Sequence, residues 1–225
     1  MSRVIVLRPE PGASETVARA TDRGLDAVSI PLFVIEPVEW QAPGPGSFDA
    51  LLLTSANAVR WGGDQLKDLR GLPVHAVGRA TADAAREAGF DIASTGDAGV
   101  DRLLGSLEPE LTLLHLCGED RASRTGIRQE IAAVPVYRSR PIEPAPDIGS
   151  ISGAVALVHS PRSAMRLAEL AGEQKVERRE IAIVAISAAA GEAAGTGWKS
   201  IDCAEQPTDE ALLALAERLC DNGRE

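Results

Sequence analysis

Short apolar runs alternate with helix-patterned stretches along the chain, and the alternation is written twice. Residues 50–60, Ala-Leu-Leu-Leu-Thr-Ser-Ala-Asn-Ala-Val-Arg, read against 155–165, Val-Ala-Leu-Val-His-Ser-Pro-Arg-Ser-Ala-Met. Each copy is a hydrophobic strand, a serine (Ser55 or Ser160) and the start of a helix. A second strand, a small-residue turn and an Ala-rich helix follow at 74–86 and again at 183–193. The preceding segments, 4–37 and 111–144, match more loosely and both close on Ile-Glu-Pro. Strands are expected at 4–7, 27–30, 50–54, 74–77, 92–94, 111–116, 155–159, 181–186 and 200–203. Helices are expected at 15–23, 56–68, 80–88, 100–107, 162–170, 188–194 and 209–220, each with apolar residues at i, i+3 and i+4. Strands alternating with helices at this length pair in parallel through crossover helices. The fold class is therefore α/β, two similar flavodoxin-like parallel-sheet domains with a ligand cleft between them. Pro-flanked extended segments at 33–40 and 136–144 are the natural crossing points, and spacing alone leaves open whether the chain passes once or twice.

Charge narrows the function classes. With 23 Lys+Arg against 33 Asp+Glu, the 225-residue chain carries −10, which argues against a nucleic-acid binder. A cleft can still be locally positive, and only three of the basic residues are lysine (Lys67, Lys175, Lys199). Cys117, Cys203 and Cys220 show no CxxC spacing, and His75, His115 and His159 show no ligand spacing, so no metal site is expected. The histidines are expected as packed or strand-end residues. No apolar run is long enough to span a membrane or to serve as a signal peptide, so a cytoplasmic protein without membrane partners is expected.

Chemistry is expected at the strand-to-helix turns. These are Arg8-Pro-Glu-Pro-Gly12, Thr54-Ser-Ala-Asn57, Gly78-Arg-Ala-Thr81 and Gly118-Glu-Asp-Arg121, then Ser160-Pro-Arg-Ser163, Ser187-Ala-Ala-Ala190 and Gln206-Pro-Thr-Asp209. Each puts a small or hydroxyl residue at a helix start, where free N–H groups and the helix dipole favour an anion. Plain N-capping accounts for any single one of them; several on one edge would hold many negative groups. Nucleophile-elbow, dinucleotide and P-loop motifs are all missing. Tyr137, the sole tyrosine, lies beside a crossing point. It is either a proton donor or a ring packed at the domain junction.

In order, Leu7-Arg-Pro-Glu, Leu53-Thr-Ser-Ala-Asn-Ala-Val-Arg, Ala76-Val-Gly-Arg-Ala-Thr-Ala, Gly118-Glu-Asp-Arg, Val136-Tyr-Arg, His159-Ser-Pro-Arg-Ser, Ala185-Ile-Ser and Pro207-Thr-Asp-Glu-Ala-Leu resemble the uroporphyrinogen-III synthase family. Each motif is short, and together they cover essentially the whole chain. The resemblance implies two α/β domains joined by a pair of extended strands: 1–34 plus 143–225 as one, 37–139 as the other, with linkers near 35–36 and 140–142. It implies an enzyme that closes hydroxymethylbilane, a linear tetrapyrrole with four acetate and four propionate groups, to uroporphyrinogen III, inverting ring D and losing water. It also implies no metal or organic cofactor, a monomer, and hand-over of substrate from hydroxymethylbilane synthase. Tyr137 aligns with the family's tyrosine proposed to help the hydroxyl leave, and Ser55, Thr81, Ser160 and Thr208 align with positions facing the cleft. Arg8, Arg79, Arg138 and Arg162 are expected to make the cleft mouth positive or neutral. Asn57, Gly78, Gly118, Ser187 and Ala188 complete the expected substrate-binding set.

Two departures from the family pattern stand out. Ser187-Ala-Ala-Ala190 replaces the Gly-Pro-Thr-Thr of many members and loses both threonine hydroxyls, and the stretch 118–137 lacks several residues and a helix-ending glycine. The alternative is a catalytically idle tetrapyrrole-binding or regulatory member of the same fold. A two-lobed exported binding protein would need an export signal.

Overall fold

Strands that are apolar at every position require cover on both faces, and the chain supplies helices for each. A computed structural model describes residues 3–97, 99–120 and 128–222. In chain order its elements are β1 (Val4–Val6), α1 (Gly12–Asp22), β2 (Ala27–Ser29), β3 (Phe33–Pro37), β4 (Ala50–Leu53), α2 (Ala56–Trp61), β5 (Val74–Val77), α3 (Arg79–Glu87), β6 (Ile92–Gly96), α4 (Val100–Gly105), β7 (Thr112–Gly118), β8 (Glu130–Pro141), β9 (Val155–Val158), α5 (Pro161–Glu173), β10 (Ala182–Ala185), α6 (Ala188–Ala193), β11 (Ser200–Cys203) and α7 (Asp209–Asn222). Two compact units result: one takes the residues up to Val34 and from Pro141 onward, the other Ile35–Arg140.

The first unit holds a five-stranded sheet in the order β11-β10-β9-β1-β2, with every pair parallel. Alternate residues of each strand serve opposite faces. Val4, Val6, Leu157 and Val184 pack under α1 and α7, against Ala13, Ala20, Leu212 and Ala216. Ile5, Leu7, Ala156, Val158 and Ile183 pack under α5 and α6, against Ala164, Leu167, Leu170 and Ala190. The second unit repeats the plan as β8-β7-β4-β5-β6, and β3 adds an edge strand beside β8. Bonds from Val38 N to Val136 O and from Ile142 N to Leu32 O make that edge antiparallel. Leu51, Leu53, Val74 and Leu114 face α2 and α3, whereas Ala50, Leu52 and Leu113 face α4.

The first sheet thus has the flavodoxin order, and the second is a circular permutation of it, with β4, β5, β6, β7 and β8 standing where β9, β10, β11, β1 and β2 stand in the first. The local departures have identifiable causes. The helix expected over 56–68 stops at Trp61 and resumes as a 3₁₀ segment over Asp64–Leu69. Between them Gly63 adopts φ +70°, and a Cβ on Gly62 would meet the Ala58 carbonyl at 2.7 Å. The extended segment expected from 136 belongs to a longer strand beginning at Glu130. Of the stretch 118–137, residues 121–127, with Arg121 of the expected Gly118-Glu-Asp-Arg turn, lie outside the described residues. Among the described residues no helix is long and apolar enough to cross a membrane.

Candidate functional site

In an open parallel sheet the ligand edge lies beyond the carboxyl ends of the strands, at the point where the strand order reverses. In the second unit that point falls between β4 and β7. β4 runs out into Thr54 and Ser55, and β7 ends on Gly118. Ser55 caps α2, its Oγ accepting the Asn57 N–H at 3.2 Å. Tyr137 comes from β8 through a bulge: Cys117 pairs with Pro135, but Gly118 pairs with Tyr137. Pro135 offers no N–H to the ladder, and the extra residue re-aims the side chain after it. The ring then lies against Gly118, where a Cβ would stand 2.9 Å from Cε2 and 3.2 Å from Oη. Burial pushes the phenol above its ordinary value, while a hydrogen bond with Ser55 works against that rise. Tyr137, Ser55, Asn57 and Gly118 are therefore one constellation.

The other expected residues of this unit sit further out. Gly78 starts α3 at φ +81°, Arg79 is exposed, and Thr81 is buried in the first turn. Among the described residues Arg79 meets no carboxylate. Arg138 follows Tyr137 on β8 and pairs with Glu36 at 3.2 Å, with Arg140 on the same carboxylate at 3.6 Å. Thr54 Oγ1 and His115 Nε2 are 3.0 Å apart, and His75 Nδ1 lies 2.8 Å from Ser94 Oγ.

The first unit's reversal falls between β1 and β9, whose chain ends carry Arg8 and His159-Ser160. Ser160 caps α5, accepting the Ser163 N–H at 3.1 Å. Arg162 stacks on Phe33, 4.7 Å from the ring centroid. Ser187 caps α6 through the Ala190 N–H at 3.3 Å, with exposed Ala188 next to it. Thr208 accepts the Ala211 N–H at 3.3 Å at the start of α7. Each capping oxygen accepts from its own helix, and Ser160 Oγ also shares a hydrogen bond of 3.0 Å with Ser163 Oγ.

One cluster at this edge escapes sequence reasoning. Asp209 receives hydrogen bonds from Thr16 Oγ1 at 2.7 Å, Arg19 Nε at 3.0 Å and His159 Nε2 at 3.0 Å. Arg19 Nη2 also binds it, and Arg8 Nη1 reaches it at 3.4 Å. Burial alone would raise Asp209, but these bonds hold it well below the usual carboxylate range. His159 is lowered by burial, which outweighs the pull of Asp209, so its neutral form donates Nε2–H. No spacing rule links residues 50 positions apart; only the adjacency of β9's end and α7's start brings them together.

These shifts set a pH dependence. Asp209 stabilises the fold fully above its unfolded pKa of about 3.9, and that share is lost as pH falls toward its lower native value. Neutral His159 contributes above about pH 6.5 and loses its share as pH falls below that, and His75, also lowered by burial, adds to the same step. Denaturant midpoints should therefore drop first below about pH 6.5 and again below about pH 4. Asp209→Asn should flatten the second drop; an unchanged acid limb would show that Asp209 is not its source.

Among the described residues no three His, Cys, Asp or Glu side chains come together as metal ligands. A family model described as uroporphyrinogen-III synthase HemD matches residues 14–214. The uroporphyrinogen-III synthetase of Helicobacter pylori 26695 is 18% identical, with a TM-score of 0.65 over 97% of this chain and 100% of that one. A mutant uroporphyrinogen III synthase of the extremely thermophilic bacterium Thermus thermophilus is 17% identical, with a TM-score of 0.54 over 98% and 100%. At these identities the two likenesses speak for the fold. Comparison with curated proteins finds no significant match.

Proposed function

The chain belongs to the uroporphyrinogen-III synthase family, and from that membership we propose that it closes hydroxymethylbilane to uroporphyrinogen III with ring D inverted, as a cyclising hydro-lyase. The family model's match across residues 14–214 carries this reading. The reaction begins when the terminal hydroxyl leaves as water, which calls for a proton. We assign that proton to Tyr137, whose phenol is protonated at neutral pH even at its ordinary value and is pushed further up by burial. Ser55 accepts from the Asn57 N–H. With its own O–H turned to the Tyr137 oxygen, the Tyr137 proton is left for the substrate.

The azafulvene cation so formed closes readily without help to the unrearranged isomer. The protein's main task is then to impose the fold in which the substituted carbon of ring D attacks, giving a spiro-pyrrolenine that fragments and recloses. The phenolate recovers a proton when the closing ring loses one. Eight carboxylates are met by helix-start N–H groups of α3, α5 and α7, by the hydroxyls of Ser160 and Thr208, and by arginine. Gly78, Arg79, Thr81, Arg138, Arg162, Ser187 and Ala188 remain in the proposed substrate-binding set. The same reading makes the protein a cytoplasmic monomer that takes its substrate from hydroxymethylbilane synthase.

A coupled assay tests it: hydroxymethylbilane is generated in situ, the products are oxidised, and the uroporphyrin isomers are separated. Isomer III should dominate in proportion to the protein added. Isomer I alone, at the blank rate, would make the protein a binder or regulator instead.

A further inference from the structure

We propose that Asp209 is a positioning residue for Arg8, and that Arg8, held between Asp209 and Gly12, is a carboxylate-binding cation at the strand-order reversal of the first unit. This rests on the reading above that the substrate is a polycarboxylate.

Asp209 is itself anchored from three directions, by Thr16 and Arg19 on α1 and by His159 at the end of β9. Its side chain is only 10% exposed, and its ionised state is fixed by those donors. Arg8 receives what remains, a contact of 3.4 Å through Nη1, with Thr16 Oγ1 also at 3.4 Å. That pairing is long for a hydrogen bond and acts chiefly as a charge interaction.

The wall opposite is Gly12. A Cβ there would lie 2.5 Å from Arg8 Nε, 2.7 Å from Cζ and 2.8 Å from Nη2, so the guanidinium occupies the space a side chain would fill. Arg8 keeps 32% of its side chain exposed. The charges also leave room for an anion. With His159 neutral, one carboxylate faces two guanidiniums, Arg8 and Arg19, and the cluster carries one net positive charge. Asp209 therefore orients Arg8 without cancelling it, and a planar fork held in place loses less freedom when it takes up a carboxylate.

Three variants separate this role from a merely structural one. Arg8→Gln removes the cation. Asp209→Asn removes the charge that holds it. Gly12→Ala leaves Asp209 and its bonds from Thr16, Arg19 and His159 in place and puts a methyl where the Arg8 guanidinium lies. Arg8→Gln should raise KM on the order of tenfold. Asp209→Asn and Gly12→Ala should each raise it about fivefold, with kcat within about twofold of wild type and Gly12→Ala keeping its Tm. Neither should add a further rise in the Arg8→Gln background. Increases that multiply with that of Arg8→Gln, or an unchanged KM in Gly12→Ala, would overturn the proposal. Affinity for uroporphyrin III, read by quenching of tryptophan fluorescence, is measured on the same set. A wild type that makes no isomer III yet binds this octa-anion refutes the enzymatic reading alone, and the same pattern is then sought in Kd. A wild type that neither reacts nor binds refutes both.

Discussion

Replacing Tyr137 by phenylalanine should lower kcat about a hundredfold, the low end of what a positioned proton donor contributes. The expectation comes from how the side chain is delivered. Pro135 breaks the β7–β8 ladder, the bulge sets Tyr137 opposite Gly118, and Gly118 admits the ring where any Cβ would crowd it. Phenylalanine keeps that packing, so Tm should change little and lost activity cannot be put down to unfolding. What goes is the proton for the leaving hydroxyl. The isomer produced by the protein should stay III, because inversion depends on how the chain of rings is folded and not on the phenol. Isomer I should rise only as spontaneous closure overtakes the slowed enzyme, and more protein should restore III. Ser55→Ala should have a smaller effect on kcat and cost about 1 kcal/mol of stability through the lost cap. A Tyr137→Phe protein with wild-type kcat would leave Tyr137 as a packed ring and send the search for a proton donor elsewhere.

Legibility in the sequence followed the range of the forces involved. Leu51-Leu52-Leu53 and Val155-Ala156-Leu157-Val158 announce strands buried on both faces, and in the structure every one of these residues is buried. Repetition of such runs exposed the twofold plan. Ser55, Ser160 and Ser187 were visible because capping is settled within three residues, and all three do cap their helices. The break at Gly62-Gly63 was open to view, but the apolar period across it suggested one helix. Pro135 could have signalled the bulge, since proline inside a strand rarely means regular pairing. The Asp209 cluster offered no such sign. Its members come from β1's end, α1, β9's end and α7, and only the parallel order of the sheet brings them to one edge. The same holds for Ser55 and Tyr137, joined through β4, β7 and β8.

The second large effect concerns stability and depends on the two units having cores of their own. Leu157 on β9 is fully buried, in register with Val6 on one side and Val184 on the other, and packs with Leu212, Leu213 and Ala216 of α7. Strands hydrogen-bonded on both sides cannot close inward to fill a hole, so most of the cavity left by alanine persists. Leu157→Ala should cost about 3 kcal/mol. Leu114 on β7 is its counterpart, held between Leu51 and Ala132 and packed in the other unit's core, and Leu114→Ala should cost a similar amount, again about 3 kcal/mol. No buried residue of the Leu157 cluster belongs to the Leu114 cluster. Hydrogen exchange should therefore separate the two variants. With Leu157→Ala, amides of β1, β9 and β10 should exchange roughly a hundredfold faster while those of β4, β5 and β7 keep their protection; Leu114→Ala should give the mirror image. Loss of protection in both sets with either variant would show that the two cores open as one cooperative body, and the repeat would then record the sequence's plan but not a division of its stability.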